Sequence, residues 1–211
     1  YMLRLLDAAL PYVRAGKVRG IRLSTRPDAV EPEVLSLLRE YGVTTIELGA
    51  QSMDDRVLAL NGRGHTADQV RRAACRVREM GYLAKIDTNG TLPERVEALL
   101  GSCGADAFGI DYKAPAAAYP ALTGSSDREI AQKVRRSIGL VLDSGAELDV
   151  RTTVHKALLD AAALETMYGE LKAAGVRSWT LQQYHPVEVI DDELSAKETF
   201  SDAELVRIAR R

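Results

Sequence analysis

Apolar positions recur along this chain with two alternating periods, one typical of strands and one typical of helices. Short, mostly apolar runs predict strands at residues 20–25, 44–50, 83–88, 107–112, 148–154 and 178–184. Apolar residues spaced by three and four predict helices at residues 1–17, 31–42, 66–81, 92–102, 127–145 and 161–175. Several of these helices end on a glycine, as a left-handed C-cap requires: Gly42, Gly81, Gly145 and Gly175.

The regular alternation of helix and strand predicts an α/β fold. Strands connected by helices at this spacing pair in parallel through right-handed crossovers. About six such units make a partial (β/α)6-type TIM-like barrel of parallel strands, and a doubly wound sheet is the alternative. No linker divides residues 1–211, so we expect a single domain, N-terminally truncated because its first helix is already under way at Tyr1.

Polar residues close successive predicted strands. The carboxyl ends of parallel strands meet at one edge of the sheet, where α/β proteins bind their ligands. We therefore expect one shared mouth, lined by Ser24, Arg26, Glu47, Gln51, Asp87, Asn89, Asp111, Lys113, Arg151, Gln183 and His185. Charge of both signs in this mouth suits a ligand that is zwitterionic and hydroxylated.

Composition narrows the class of protein. The hydrophobic fraction is 46% and the net charge is −2, which gives no reason to expect a nucleic-acid or membrane-surface partner. No apolar run approaches the roughly 20 residues that span a bilayer. The two cysteines, Cys75 and Cys103, lie far apart, which argues against a disulfide framework and favours a cytoplasmic protein. We interpret Cys75 as a small buried apolar residue of its helix.

Four segments carry a resemblance to a known family: "KIDTNG" (85–90), "GIDYKAPAAAYPALTG" (109–124), "VRTTV" (150–154) and "LQQYHP" (181–186). With these four segments in this order, residues from about 83 to 190 resemble the activating proteins of anaerobic ribonucleotide reductase and pyruvate formate-lyase. Those proteins are radical S-adenosylmethionine (SAM) enzymes. Residues from about 12 to 82, with "GIRLSTRPD" (20–28) and "YGVTTIELGAQSMDDRVLALNGRGHT" (41–66), resemble the Elongator-type and oxygen-independent coproporphyrinogen oxidase branches. A junction between the two resemblances is expected near residues 81–84.

The resemblance implies S-adenosylmethionine as cofactor, its reductive cleavage, hydrogen abstraction, and a glycyl radical enzyme such as anaerobic ribonucleotide reductase as partner. By resemblance, Asp87 and Asn89 contact the ribose or amino group, Lys113 the carboxylate and Asp111 the ammonium, while His185 contacts the adenine or ribose. Arg151 and, more weakly, the set Ser24, Arg26, Glu47 and Gln51 are also assigned to the cofactor. The family's [4Fe–4S] cluster is held by CxxxCxxC, which this sequence lacks, so radical chemistry is not expected from this chain alone.

Simpler interpretations of the same residues stay open. Residues 87–90 are also typical of a strand-to-helix turn, with Thr91 capping the next helix. Asp111 can pair with Lys113 or with Arg151 as an ordinary salt bridge. We expect the loop residues Arg63, His65 and His155 to be solvated, and the arginine-rich helix at 71–78 to present an outer face. The functional alternatives are an Elongator- or coproporphyrinogen-oxidase-like enzyme, or a non-catalytic barrel remnant without the cluster motif.

Overall fold

The computed structural model describes residues 2–102, 104–185 and 192–209. The strands are β1 (Ile21–Thr25), β2 (Val43–Gln51), β3 (Leu83–Thr88), β4 (Ala107–Asp111), β5 (Glu147–Val154) and β6 (Trp179–Gln183). The helices are α1 (Met2–Arg14), α2 (Pro32–Glu40), α3 (Asp55–Leu60), α4 (Ala67–Glu79), α5 (Pro93–Gly101), α6 (Tyr119–Thr123), α7 (Ile130–Ser144), α8 (Ala161–Ala173), α9 (Asp192–Ser195) and α10 (Asp202–Ala209). Every predicted strand and helix is present, with small shifts at its ends.

The strands form one parallel sheet in the order β1-β2-β3-β4-β5-β6. Each neighbouring pair is parallel and is joined by a helical connection. Because the spatial order follows the chain order without reversal, the sheet is not doubly wound. The predicted partial barrel of parallel strands is confirmed.

The two faces of the sheet have opposite character, because side chains alternate along each strand. On the face that packs against the helices, the following side chains are fully buried: Ile46, Leu48, Ile86, Phe108, Ile110 and Val150. Burying a large aliphatic or aromatic side chain is worth about 1.5–3 kcal/mol, so this layer supplies the main stabilisation of the sheet. The alternate positions point to the opposite face, and many of them are charged.

The opposite face lies on the inside of a curl. Arg151 on β5 brings its Nη1 to 3.9 Å from Oε1 of Glu47 on β2. Adjacent strands are about 4.8 Å apart, so three strand spacings in a flat sheet would separate their backbones by about 14 Å. Curling of the sheet therefore turns this face into a concave, charged interior.

Helix ends agree with the predictions at all four glycines and disagree at Thr91. Gly42, Gly81, Gly145 and Gly175 each have a positive φ. The prediction that Thr91 caps α5 is wrong, since the residue at the N-cap is Leu92 and no side chain caps the helix there. The Thr91 hydroxyl donates instead to Asn89 Oδ1 at 2.9 Å.

Helix α4 differs from its prediction at one residue. Cys75 is half-buried and forms a disulfide, so its interpretation as a small buried apolar residue is wrong, and so is the expectation against a disulfide. Cys103 lies outside the described residues. The arginines of α4 behave as predicted for an outer face: Arg72, for example, is exposed and pairs with Asp68 at 2.7 Å. Among the described residues, none of the helices combines the length and apolarity that crossing a membrane would require.

Candidate functional site

Five charged residues meet on the inside of the curl, and Lys85 lies at their centre. Its Nζ is 2.9 Å from Glu47 Oε1, 3.0 Å from Asp149 Oδ2 and 3.7 Å from Asp87 Oδ1. The side chains of Lys85 and Glu47 are only 6% and 7% exposed. With Arg151, these residues form what we call the concave cluster. Buried ions of this kind are tolerated only when each is paired with an opposite charge.

Within the concave cluster, Arg151 and Asp87 form a two-pronged pair. Arg151 Nη2 lies 3.1 Å from Asp87 Oδ1, and Nη1 lies 3.4 Å from Oδ2. Gly109 on β4, between β3 and β5, leaves the space for this pair. A Cβ atom at position 109 would lie 2.0 Å from Asp87 Oδ1 and 2.8 Å from Arg151 Nη2. The glycine is therefore required by the approach of these two side chains.

The two buried carboxyl groups of the cluster have opposite pKa shifts. Burial, followed by the neighbouring carboxylate of Glu47, raises the pKa of Asp87 to about 6. Burial also acts to raise the pKa of Glu47, but hydrogen bonds from Ser24 and Lys85 outweigh it and lower that pKa to about 2. The Ser24 hydroxyl donates to Glu47 Oε2 at 2.5 Å. Asp87 is therefore the carboxyl group of this pair that changes its charge nearest to neutral pH.

The strand tips next to the cluster carry the pair formed by Asp111 and Lys113. Lys113 Nζ is 3.0 Å from Asp111 Oδ2, and the two side chains are 47% and 37% exposed. Asp111 Oδ1 is also 3.7 Å from Arg151 Nε, which connects the exposed tip with the buried cluster. The salt bridge expected from the sequence is thus present, and its exposure leaves both groups accessible to a ligand.

Asn89 forms the turn that follows β3. Its Oδ1 accepts hydrogen bonds from the backbone N–H and the hydroxyl of Thr91, at 3.2 and 2.9 Å. Its own backbone N–H donates to the Gln51 carbonyl at 2.7 Å. The turn engages the amide oxygen of Asn89, so its NH2 group is the part that can still donate to a ligand.

A cavity of about 760 Å³ opens at these strand tips. Asn89, Asp111 and Lys113 line it on one side, and Thr153, His155 and Tyr184 line it beyond the ends of β5 and β6. A second cavity, of about 310 Å³, shares Asn89, Asp111 and Lys113 with the first and is also lined by Gln51. Pockets for small molecules and cofactors usually measure about 300–1,000 Å³, so the larger cavity can hold a ligand of that class.

Most of the residues predicted from the sequence converge, whereas Gln183 of β6 donates from Nε2 to the Phe200 carbonyl at 2.6 Å and lines neither cavity. The concave cluster and its rim bring together Ser24, Glu47, Asp87, Asp111, Lys113 and Arg151. Arg26 is exposed and pairs locally with Asp28 at 2.7 Å. His185 is exposed beyond β6, and its neighbour Tyr184 lines the cavity. The cofactor assignments of Arg26 and His185 stay predictions.

Sequence reasoning missed two members of the concave cluster. Lys85 precedes Asp87 by two residues, and Asp149 precedes Arg151 by two residues, so strand alternation places each pair on one face. This signal was present in the sequence. Lys85 and Asp149 lie deeper in the curl than Asp87 and Arg151, further from the strand ends.

The predictions of solvated loops for two histidines are wrong. His65 and His155 are 5% and 3% exposed, whereas Arg63 is half-buried. In the described part of the chain, the Nε2 atoms of both histidines are buried and have no hydrogen-bond partner. Their burial depends on how the loops after α3 and β5 fold back, which local sequence patterns do not specify.

The residues of this chain do not fit a [4Fe–4S] cluster. Such clusters are held by several cysteine thiolates gathered around the iron atoms. The sequence contains two cysteines, and Cys75 is engaged in a disulfide. Within residues 2–102, 104–185 and 192–209, no group of three or more His, Cys, Asp or Glu side chains could hold a metal ion.

Comparison with known proteins shows similarity to one superfamily. Residues 2–86 match the family model of the Radical SAM superfamily. A "tRNA uridine(34) acetyltransferase" from Dehalococcoides mccartyi is 37% identical over 62 residues, covering 29% of this chain and 14% of that protein. A "Putative glycyl-radical enzyme activating enzyme" from Methanocaldococcus jannaschii is 29% identical over 128 residues, covering 60% of this chain and 52% of that protein. The chain thus spans at most about half the length of these two relatives.

The fold is also that of a solved structure. The crystal structure of Streptococcus suis SuiB bound to S-adenosylmethionine matches 90% of this chain and 43% of SuiB, with a TM-score of 0.61 and 9% sequence identity. The junction predicted near residues 81–84 falls at the start of β3, which pairs in parallel with β2 and β4. The chain therefore matches the Radical SAM superfamily over residues 2–86, and it is folded as six parallel strands in a curled half-barrel.

Proposed function

We propose that this chain is the SAM-binding half-barrel of a radical SAM enzyme of the type that activates glycyl radical enzymes. The observation that carries the proposal is the contact between the concave cluster and the rim of the cavity of about 760 Å³. Asp111 lies 3.7 Å from Arg151 of the cluster, and Asp111 and Lys113 both line the cavity. The similarity to the Methanocaldococcus jannaschii relative supports the activating type. This proposal implies a glycyl radical enzyme such as anaerobic ribonucleotide reductase as the partner. It also implies the cytoplasm as the compartment.

The charged rim fits the amino-acid end of S-adenosylmethionine. Lys113 supplies a point charge for the carboxylate, and Asp111 accepts a hydrogen bond from the ammonium group. These two side chains already pair with each other at 3.0 Å, so a zwitterion can replace each partner with an equivalent charge. Binding therefore leaves neither Lys113 nor Asp111 without an opposite charge.

The concave cluster retains hydrogen-bonding capacity that a ligand could use. Asp87 Oδ1 and Arg151 Nε are buried and have no hydrogen-bond partner among the described residues, although both atoms lie near opposite charges. A carboxylate oxygen of this kind can accept from a ribose hydroxyl. On the family resemblance we assign Asp87 to the ribose. On the contacts described above we assign Arg151 to holding Asp87 in place, and the Asn89 NH2 group to a donor role at the rim.

S-adenosylmethionine, when bound and reductively cleaved, supplies the hydrogen-abstracting chemistry of the family. The protein's own part is to bind it, fix its orientation and exclude water. The cluster that delivers the electron in this family does not fit the residues of this chain. The activity proposed is that of the enzyme to which this half-barrel belongs.

Binding measurements on four variants test the proposal. Titration of S-adenosylmethionine up to millimolar concentration, followed by NMR, should show binding that weakens at least about tenfold in Asp87→Ala and Lys113→Ala, because each loses a charge-assisted hydrogen bond. The matched controls are Glu97→Ala and Lys172→Ala, which remove exposed charges from α5 and α8. Absence of binding, or equal weakening in the controls, would overturn the proposal.

The similarity to the Dehalococcoides mccartyi acetyltransferase favours a second candidate, a tRNA-directed radical enzyme. Fluorescence anisotropy with labelled tRNA decides between the two, since the activating type should show no tRNA binding at physiological salt. Iron analysis after anaerobic reconstitution addresses the third candidate, a non-catalytic remnant. A near-stoichiometric cluster on this chain would contradict the remnant hypothesis.

A further inference from the structure

A separate groove of the half-barrel opens at the N-terminal ends of the strands. It has a volume of about 400 Å³ and crosses the concave face from β1 to the start of β6. Among the residues that line it are Arg22 of β1, Leu83 of β3, and Glu147 and Asp149 of β5. We call it the strand-start groove. It shares no lining residue with the cavity of about 760 Å³ at the other end of the strands.

The two ends of the strand-start groove carry opposite charges. At the β1 end, the Arg22 side chain is 61% exposed, and the turn before β1 adds the exposed cations Lys17 and Arg19. At the β5 end, the Glu147 carboxylate is exposed, and Asp149 adds a second carboxylate. In the described part of the chain, Lys17, Arg19 and Glu147 form no ion pair. The groove is therefore basic at one end and acidic at the other, with charges that a partner can use.

Leu83 lies between these two ends and exposes an apolar side chain to solvent. It is 54% exposed, although it begins a central strand of the sheet. Through Thr45 of β2 it is in register with Arg22 of β1, and Glu147 lies two strands away on the other side, on β5. Adjacent strands are about 4.8 Å apart, so each charged end is about 10 Å from Leu83 along the sheet. An apolar centre with a charged rim is the usual layout of a protein–protein interface.

This layout is complementary to itself under a two-fold rotation. In an isologous dimer both copies use the same surface, so that residue i contacts residue j and j contacts i. A two-fold axis through Leu83 brings the basic end of one copy onto the acidic end of the other, at two equivalent places. The two leucines meet on the axis. A nucleic acid would be attracted by the basic end and repelled by the carboxylates, so the charge pattern favours a second copy of the chain.

We infer that the strand-start groove is an interface through which two copies of this chain associate about a two-fold axis. The inference goes beyond the proposed function, because the groove lies at the opposite end of the strands from the cavity. In such a dimer the copies meet at their strand starts, and both cavities face outward and stay open. The groove is small and small interfaces are weak, so we expect a dissociation constant of about 10–100 µM at low salt.

Charge reversals at the two ends test the pairing. Arg19→Glu and Glu147→Lys should each weaken dimerisation at least about tenfold, because either reversal places like charges at both equivalent contacts. Leu83→Asp should have a similar effect by bringing two carboxylates together on the axis. All three side chains are exposed, so the fold of the monomer does not depend on them. The matched control is Arg177→Glu, which reverses an exposed cation at the same edge of the sheet but outside the groove and should leave dimerisation unchanged.

Mixing two of these variants tests the symmetry. Arg19→Glu and Glu147→Lys should each be largely monomeric alone, whereas an equimolar mixture should form heterodimers about as tightly as the wild type. In the mixed dimer the two substituted residues face each other with opposite charges, and so do the two unsubstituted ones. Sedimentation velocity over about 10–500 µM protein measures the dimer fraction, and circular dichroism verifies the fold of each variant. Raising the salt from about 50 mM to about 500 mM should weaken the wild-type dimer by screening these charges.

Each contrary result bears on this interface alone. A wild type that stays monomeric up to about 500 µM, or a dimer that none of the three substitutions weakens, overturns the inference. Weakened single variants whose mixture does not recover a dimer also overturn it, and species larger than the dimer overturn the two-fold arrangement. These measurements need no S-adenosylmethionine, so their failure leaves the proposed function standing, and failure of the S-adenosylmethionine titration leaves the interface standing.

Discussion

Replacing Gly109 with alanine should break the ion pair at the centre of the curled sheet. The added Cβ would lie 2.0 Å from Asp87 Oδ1 and 2.8 Å from Arg151 Nη2. Ordinary contacts between nonbonded heavy atoms begin near about 3.5 Å, so the Asp87 carboxylate must move by more than about 1 Å. Both side chains are only 18% exposed, so water cannot easily replace the lost partner.

The expected cost follows from these contacts. Removing one partner of a buried ion pair costs about 3–5 kcal/mol, and separating the partners while both remain should cost less, about 2–3 kcal/mol. Alanine gains about 0.5–1 kcal/mol over glycine in a strand because it loses less conformational entropy on folding. The net loss in the free energy of unfolding is therefore about 2 kcal/mol, or a melting temperature lower by roughly 4–8 °C.

Urea unfolding followed by circular dichroism measures this change directly. Gly139→Ala is the control, because a Cβ at that position in α7 meets nothing within 4 Å. The control should raise the free energy of unfolding by about 0.5–1 kcal/mol. If the free energy of unfolding of Gly109→Ala equals that of the wild type to within about 0.5 kcal/mol, Asp87 and Arg151 do not pack closely over Gly109.

Three further predictions concern buried polar groups. Lys85→Met should lower the free energy of unfolding in urea by about 3–5 kcal/mol, because it removes the cation nearest to the buried Glu47 carboxylate; a change under 1 kcal/mol would contradict a buried pair. The pKa of Asp87 is about 6 in the folded state against 3.8 as its ordinary value, so the folded state binds the extra proton between these pH values. The free energy of unfolding of the wild type, relative to that of Asp87→Asn, should therefore rise by about 1 kcal/mol from pH 7 to pH 5. A difference between the two proteins that does not change with pH would refute the raised pKa of Asp87. The lowered pKa of Glu47 affects stability only below pH 5. Tyr112→Phe removes the hydrogen bond that the hydroxyl donates to Glu170 Oε2 at 2.7 Å, and it should lower the free energy of unfolding in urea by about 1–2 kcal/mol. An unchanged urea midpoint would contradict this prediction.

The helices and strands were predictable because their signal is local. Apolar periodicity and the glycines that end helices locate the six strands and the six longer helices between and before them, and parallel pairing follows from the helix between successive strands. Four helices, α3, α6, α9 and α10, were not predicted, and α3, α6 and α9 are too brief to show a helical period. Asp54, which accepts from the N–H groups of Arg56 and Val57, was the available signal for α3.

The site was predictable in position and less so in its pairings. The rule that strand tips converge located Asp111 and Lys113 correctly beside a cavity. It did not reveal that Arg151 pairs closely with Asp87, since that choice depends on the curl of the sheet and on the space left by Gly109. For the same reason, Lys85 and Asp149 were overlooked: a parallel sheet with one charged face is unusual, and only the curl makes that face an interior.

His155 illustrates a limit of local reasoning. A histidine two residues before an Ala-Leu-Leu sequence gives no indication of burial, and its side chain is enclosed because the loop after β5 folds around its carbonyl. Arg26 illustrates the converse, since its position at a strand tip suggested a ligand contact. Both Nε and Nη2 of Arg26 donate instead to the carboxylate of Asp28, two residues further along the chain.

The most direct measurement is a titration of S-adenosylmethionine into the ¹⁵N-labelled chain, with every backbone amide followed. If the strand tips form a single binding mouth, the largest shifts will fall on Asn89, Lys113, Thr153, His155 and Tyr184, which come from four different strands or their tips and line one cavity. Shifts confined to the apolar groove around Tyr168 and Trp179, or no shifts at millimolar ligand, would show that the charged interior does not bind this molecule.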